Sequence, residues 1–194
     1  MTRPQSAPNT QDSLIHALID VLRQGQTLLQ GLTDSQFTTM IPEAGDASIG
    51  AHYRHSLDHF KTILDGADTG ILDYDARARD VRLETDRHFA IETTRSYCDA
   101  FASLDRVALE TRVSVRCSVS SGDAGEEQVF STYAREGVYV VAHAVHHYAL
   151  ISVMCRLLGI LPPENFGIAA STIKHRQSLP IACAPSPTAE ATKA

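Results

Sequence analysis

Six of the nine histidines of this chain fall in two short windows. The first, SIGAHYRHSLDHF, carries His52, His55 and His59; the second, VAHAVHHYALI, carries His143, His146 and His147. If both windows are helical, each residue turns the chain by about 100°, so His52 and His59 lie within about 20° of each other. His55 sits about 60° to one side, and all three share one face. His143 and His147 are four apart and stack on one face, with His146 leaning toward it. An i, i+4 pair of imidazoles can chelate one divalent metal ion. A third imidazole from a facing helix completes a three-histidine site and leaves a position open for water or a substrate. Each imidazole has an ordinary pKa of about 6.5, so acid would eject the metal. The plainer reading of any single histidine is a hydrogen-bonded core residue, but here two clusters lie on elements that a bundle would set opposite each other.

Other reactive groups are placed relative to these windows. Asp58 lies three residues from His55 and is positioned to orient its imidazole, as carboxylates around metal ligands commonly do. Glu136 is seven residues before His143, on the same face about two turns away, and is the candidate general base, with an ordinary solvent-facing glutamate as the alternative. Tyr139 and Tyr148 read as core residues, either of which could bring a hydroxyl to the site. The run Asp73, Tyr74, Asp75, Arg77, Arg79 reads as a solvated charged loop, with a salt-bridged lid or an anion contact as the alternative. Arg112 and Arg116 read as surface charges, with contacts to a substrate carboxylate as the alternative. Cys98, Cys117, Cys155 and Cys183 show no CxxC spacing, which fits reduced thiols rather than a disulfide framework. Cys155 lies on roughly the face of His147 but two turns away, and an inert buried thiol is its default reading.

Four amphipathic helices are needed to position these groups. The first should run from Ser13 to Leu32, with Leu14, Ile15, Leu18, Val21, Leu22, Leu28, Leu29 and Leu32 on the 3.6-residue period. Thr33 with Gln36 resembles a capping box before a short turn. The second helix should run from Ser48 to about Asp65, with Gly66 suited to its end. Asp86 can cap a third from Arg87 to Leu104, and Ser131 a fourth reaching Leu158, stopped by Gly159 and Pro162. Between the third and fourth, Val113, Val115 and Cys117 alternate with Arg112, Ser114 and Arg116, the pattern of a half-buried strand. Ser120 to Gly125 reads as a turn, and Gln128 to Phe130 as a returning strand. The expected fold is therefore all-α: a four-helix bundle with a small β-hairpin inserted between helices three and four. Residues 1–11 read as a flexible arm, 12–177 as the bundle domain, and 178–194 as a disordered tail rich in Ala, Pro, Ser and Thr.

Bulk composition narrows the classes. The 194 residues suit one domain, and 43% hydrophobic with 21% charged residues is an ordinary globular balance. A formal net charge of -6 argues against broad nucleic-acid or anionic-membrane binding. No uninterrupted apolar run reaches the roughly 18 residues of a bilayer span, and the start of the chain lacks a signal-peptide core. These features, with the scattered cysteines, lead us to expect a cytoplasmic protein with no nucleic-acid or membrane partner. GxxxxGK[ST], GxGxxG and GxSxG are all absent, which removes the common nucleotide and nucleophile-elbow readings.

The serine-led start of helix two with a histidine seven residues on, Ser48 to His55, together with the run His143, Ala144, Val145, His146, His147, resembles the DinB-like (DinB/YfiT) superfamily of metal-binding four-helix proteins. The likeness covers roughly Ser13 to Leu158. It implies that His55, His143 and His147 are the metal ligands, with His59 or His52 as alternates if helix two is rotated or shifted. It also implies a divalent ion (zinc, nickel or iron) and thiol-dependent transferase chemistry on a small-molecule substrate such as a low-molecular-weight thiol. The same site could instead activate water for hydrolysis, and a non-catalytic metal-binding or stress-related scaffold is the alternative to an enzyme. A homodimer is expected from the same resemblance. Where the superfamily often continues Arg-Gly-Gln after the last histidine, this chain has Tyr148, Ala149 and Leu150.

Overall fold

The structure, a computed structural model, describes residues 10–104, 110–118 and 127–178. Within them the chain is mostly helical with a small three-stranded sheet. The expected turn over Ser120 to Gly125, most of the N-terminal arm and most of the C-terminal tail lie outside the described residues.

The first helix, α1 (Thr10–Gln30), buries Leu14, Leu18, Val21, Leu22, Leu28 and Leu29 along one stripe. Thr33 and Gln36 form a reciprocal capping box, with the Gln36 amide 3.2 Å from the Thr33 hydroxyl and the Thr33 amide 2.9 Å from Gln36 Oε1. The short α2 (Asp34–Thr38) that follows sinks Phe37 completely into the core. A single 3₁₀ turn, Pro42–Ala44, leads into α3 (Ile49–Thr69). Ser48 caps α3 by accepting from the Ala51 amide at 3.0 Å. Two short pieces and a long helix follow: β1 (Ile71–Asp73), α4 (Arg82–Thr85) and α5 (Arg87–Ser103), the last capped by Asp86 through the Phe89 amide at 2.9 Å. Then come β2 (Arg112–Cys117), β3 (Glu127–Thr132), α6 (Tyr133–Leu157) and α7 (Ala170–Ser178).

Three local expectations are corrected. α3 does not stop at Gly66; it runs on to Thr69 and ends at Gly70, whose positive φ of 69° lets its amide return to the Gly66 carbonyl at 3.0 Å. Gly66 is needed for a different reason, because a methyl there would collide with Leu72. The cap of α6 is Thr132, not Ser131, since the Thr132 hydroxyl accepts from the Arg135 amide at 3.3 Å. The sheet is more than a hairpin: β2 pairs antiparallel with β3, and β1 adds a parallel third strand with Leu72 opposite Val115 and Asp73 opposite Arg116.

The long helices pack in pairs: α1 against α5 and α6, and α3 against α5 and α6. Leu18, Leu22, Leu29, Tyr53, Leu57, Phe60, Phe101, Val140, Tyr148 and Ile151 meet between them, all but removed from solvent. Fully burying one such side chain is worth about 1.5–3 kcal/mol, and this burial fixes the α3–α6 contact on which the site depends. α6 is long and apolar enough, by length and composition, to cross a membrane, with an 18-residue window of mean hydropathy 1.5 of which 33% is buried. One face of it, through Val140, Ala144, Tyr148 and Ile151, belongs to the core.

Candidate metal centre

Packing of α3 on α6 brings the two histidine windows together. One ring nitrogen from each of His55, His59 and His143 falls in a group whose members all lie within 4.8 Å of one another. The Nε2 atoms of His55 and His143 are 3.0 Å apart. The ring centroids of His59 and His143 are 4.0 Å apart, and those of His55 and His59 4.9 Å. His147 stands beside the group, its ring 4.5 Å from His55 and 4.6 Å from His143, but its Nδ1 is 3.1 Å from Nδ1 of His52. The set expected from sequence, His55, His143 and His147, is thus arranged with His59 in the third place and His147 turned to His52. His146 is exposed and touches the cluster only at its edge, 5.5 Å from the His147 ring.

Burial decides the electrical state of these rings. It pushes His59 down to about 2, with the neighbouring His143, His55, Arg77 and His147 charges adding to it. Burial first, then Arg77 and the other histidines, takes His55 to about 4; burial and His55 take His147 to about 3. His52 and His143 are also lowered, mainly by burial and then by His146. Near neutral pH the cluster is therefore a set of uncharged imidazoles, the form that offers lone pairs.

His59 is the most telling member. It is 4% exposed, and both of its ring nitrogens are buried without a hydrogen-bond partner among the described residues. Leaving a buried polar group unpaired costs about 1–3 kcal/mol, so such groups normally signal a missing partner. A cation shared with His55 and His143 would supply one, and an all-imidazole donor set suits zinc, nickel, iron or copper.

The groups around the rings depart from expectation. His55 Nδ1 is met by Nη1 of Arg77 at 2.7 Å, so Arg77, rather than Asp58, is the residue on that ring. Asp58 is buried nearby, its carboxyl pushed up by burial and drawn back by Arg54, Arg77 and Arg79. Glu136 is buried, and its carboxylate accepts from the Tyr74 hydroxyl at 3.0 Å and the Ser131 hydroxyl at 2.7 Å, with Arg135 at 3.5 Å. Both of its oxygens are engaged by these donors. Its link to the histidines is indirect: the Tyr74 ring stacks on His59 at 5.1 Å. Tyr139 flanks the site, 5.6 Å from His143. Tyr148 is core, stacked between Tyr53 and Phe166. Arg112 lies over the Phe130 ring, and Arg116 is exposed.

The supposed charged loop is what sequence reading underestimated. Asp73 Oδ1 accepts the amides of Asp75 and Ala76 and shapes the turn after β1. The Tyr74 amide extends the strand pairing to Arg116, which turns Tyr74 inward and delivers Arg77 to His55. Alternation of buried Leu72 and Tyr74 is the one signal that could have found this. Cavities border the region and lie apart from it. One of about 450 Å³ is lined by Asp58, Thr62, Asp73 and Arg77. Another of about 400 Å³ lies between Tyr74, Cys117, Phe130, Glu136 and Tyr139. A third, of about 790 Å³, lies away from the histidines between Ala149, Arg156, Leu161, Pro163, Phe166 and Ile173.

No protein-family model matches the chain, and no solved structure does. FK506-binding protein 5 of Rhizopus delemar is 33% identical over 105 residues, which are 54% of this chain and 27% of that protein. The chain therefore spans about a quarter of the length of the curated relative it matches. This overturns the resemblance to the DinB-like superfamily. The thiol-dependent transferase or hydrolase activity and the scaffold alternative drawn from it fall too: no family model carries them, and the named relative is of another kind. What stands without the resemblance is the geometry of the histidines themselves.

Proposed function

We propose that this chain works in the setting its relative names, FK506 binding, as a helical unit that carries a divalent cation as cofactor between α3 and α6. The setting is supported by the 33% identity over 105 residues. The cation is supported by one observation above the others: among the described residues both nitrogens of buried His59 lack a partner while lying against His55 and His143. His55, His59 and His143 would hold the ion, with His147 and His52 as the adjacent pair. The ion would supply a Lewis-acid centre with a position open to a small molecule. Of the metals, zinc, nickel and iron fit the donors.

Within the same reading, α1, α3, α5 and α6 form a four-helix bundle, and two copies pair. Pairing is supported by the exposed apolar residues Val138, Leu150, Val153 and Leu157 on α6. FK506 itself would enter the 790 Å³ groove, whose size is in the range of small-molecule sites and whose wall carries Leu161, Pro163 and Phe166.

Two titrations test the proposal on tag-free protein. Equilibrium dialysis against Zn²⁺, Ni²⁺ and Fe²⁺ with elemental analysis should give one ion per chain, lost in the His59→Ala, His143→Ala variant. Calorimetric titration with FK506 should give saturable binding weakened by Phe166→Ala. A chain that retains no ion removes the cofactor, and one that gives no heat with FK506 removes the setting.

A further inference from the structure

We propose that Arg77 sets the affinity of the histidine cluster for its cation, by holding His55 in a hydrogen-bonding state that cannot coordinate. The inference rests on the cation reading above and concerns how that same site is regulated.

A guanidinium has only donors and does not lose its charge in proteins. At 2.7 Å, Nη1 of Arg77 therefore donates, and Nδ1 of His55 accepts. A neutral imidazole whose Nδ1 is an acceptor carries its hydrogen on Nε2. That Nε2 lies 3.0 Å from Nε2 of His143 and so donates to it. One contact from Arg77 thus occupies two of the three candidate donors: the His55 Nε2 lone pair is absent, and the His143 Nε2 lone pair is engaged. For an ion to sit between these nitrogens, the His55 hydrogen must move to Nδ1. There an N–H would face the N–H of Arg77, and the guanidinium charge would oppose the incoming cation. Arg77 must leave for the ion to enter.

A place for it to go is built beside it. Arg77 lines the 450 Å³ cavity together with Asp58, Asp65 and Asp73. Asp65 is already paired with Lys61 at 2.7 Å, and Asp73 is committed to the amides of Asp75 and Ala76. Asp58 remains, buried and already within the electrostatic reach of Arg77. The present position also leaves Nε of Arg77 buried without a partner among the described residues, so a move onto Asp58 would satisfy a donor that is now unpaired there. Arg77 on His55 and Arg77 on Asp58 are the closed and open states of one exchange, with the cation favouring the second.

The test is competition for Zn²⁺ against a chromophoric chelator, using the intact chain. Arg77→Met, which keeps an apolar stem and removes the donors and the charge, should bind about tenfold tighter than the unaltered chain, the scale on which residues around metal ligands act. Asp58→Asn should bind several-fold more weakly. The double variant should match Arg77→Met, because the receiver no longer matters once the guanidinium is gone. Equal or weaker binding by Arg77→Met, in a chain that itself binds Zn²⁺, overturns the inference and leaves the cation reading intact. If neither form binds, the cation reading falls and the inference with it. An independent readout needs no variant: long-range ¹H–¹⁵N correlation of the imidazoles in metal-free protein should find His55 Nδ1 bare and Nε2 protonated. The opposite tautomer overturns the proposal.

Discussion

Nε2 of His55 on α3 and Nε2 of His143 on α6 lie 3.0 Å apart, across the packing face of two helices whose sequences are separated by the whole sheet. At this distance one nitrogen must donate and the other accept, so the pair is tied by a single hydrogen bond. His59 is left with neither role. Replacing His59 by Leu should therefore abolish cation binding while raising thermal stability in chelator, since an unpaired buried imidazole is exchanged for an apolar group. Replacing His143 by Ala should abolish binding as well but lower the melting temperature, because it opens space beside His55. Melting curves with and without Zn²⁺ separate the two; a His59→Leu protein that still gains stability from Zn²⁺ would show the ion to lie elsewhere.

Stability of the metal-free protein should fall with acid. In the unfolded chain each histidine titrates near 6.5, whereas His55, His147 and His59 in the folded state sit at about 4, 3 and 2. Below pH 6.5 the unfolded chain takes up protons that the folded chain refuses. Unfolding is then favoured as pH falls, and the loss continues until the folded values are reached. The contribution is constant above the unfolded value and declines from about pH 6.5 downward. Carboxylates add their own acid sensitivity at lower pH, so the diagnostic is a comparison. Between pH 7 and 5, in chelator, the unaltered chain should lose more melting temperature than His59→Leu, and parallel curves would count against a buried neutral ring.

Why the two histidine windows could be read, while the third member of the group stayed open between His147, His59 and His52, follows from what each depends on. Shared faces for His52, His55 and His59, and for His143 and His147, follow from the helical repeat alone. Whether His59 or His147 completes the group depends on the axial offset and rotation of α3 against α6. That is set by how Tyr53, Leu57 and Phe60 fill the core beside Val140 and Tyr148, which no local pattern encodes. Tyr74 and Arg77 were hidden because β1 is three residues long and its partner, β2, is far along the chain. Thr33 with Gln36 and Asp86 were legible because capping is chemistry between neighbours. The family resemblance failed on the same ground. A serine cap followed by a histidine, and an HxxxH pair, are short features that helical histidine pockets can share without common descent.

Gly66 offers a test of how firmly β1 is held. It lies inside α3, where a Cβ would strike the Leu72 side chain and approach the Ile71 carbonyl at 3.0 Å. Helix propensity favours alanine over glycine by about 1 kcal/mol at such a position, so an effect on the helix alone would stabilise the protein. Overpacking against β1 should reverse the sign, costing about 1–3 kcal/mol. Gly66→Ala is expected to lower the denaturant midpoint, and to raise hydrogen exchange at the Ser114 amide, which is 2.8 Å from the Gly70 carbonyl. An increase in the midpoint would mean that β1 does not pack on α3 as closely as described.

Tyr74 joins the two halves of the polar core, giving its hydroxyl to Glu136 at 3.0 Å and its ring to His59 at 5.1 Å. Its own proton is firmly held: burial first, and then the Glu136 carboxylate, push its ionisation well above the usual phenol range. Tyr74→Phe would keep the ring against His59 and remove only the donor. A hydrogen bond to a charged group is worth about 1.5–3 kcal/mol, and the Ser131 hydroxyl and Arg135 would still hold the other oxygen. The expected loss is therefore toward the low end of that range, read as a shift in urea midpoint at pH 7. The Glu136→Gln, Tyr74→Phe double variant should lose less than the sum of the two single changes, because both remove one contact. Cation affinity should be nearly unchanged in Tyr74→Phe, since Glu136 meets the histidines only through the aromatic ring. A large drop in affinity with little change in midpoint would instead place the Glu136 charge in direct control of the cluster.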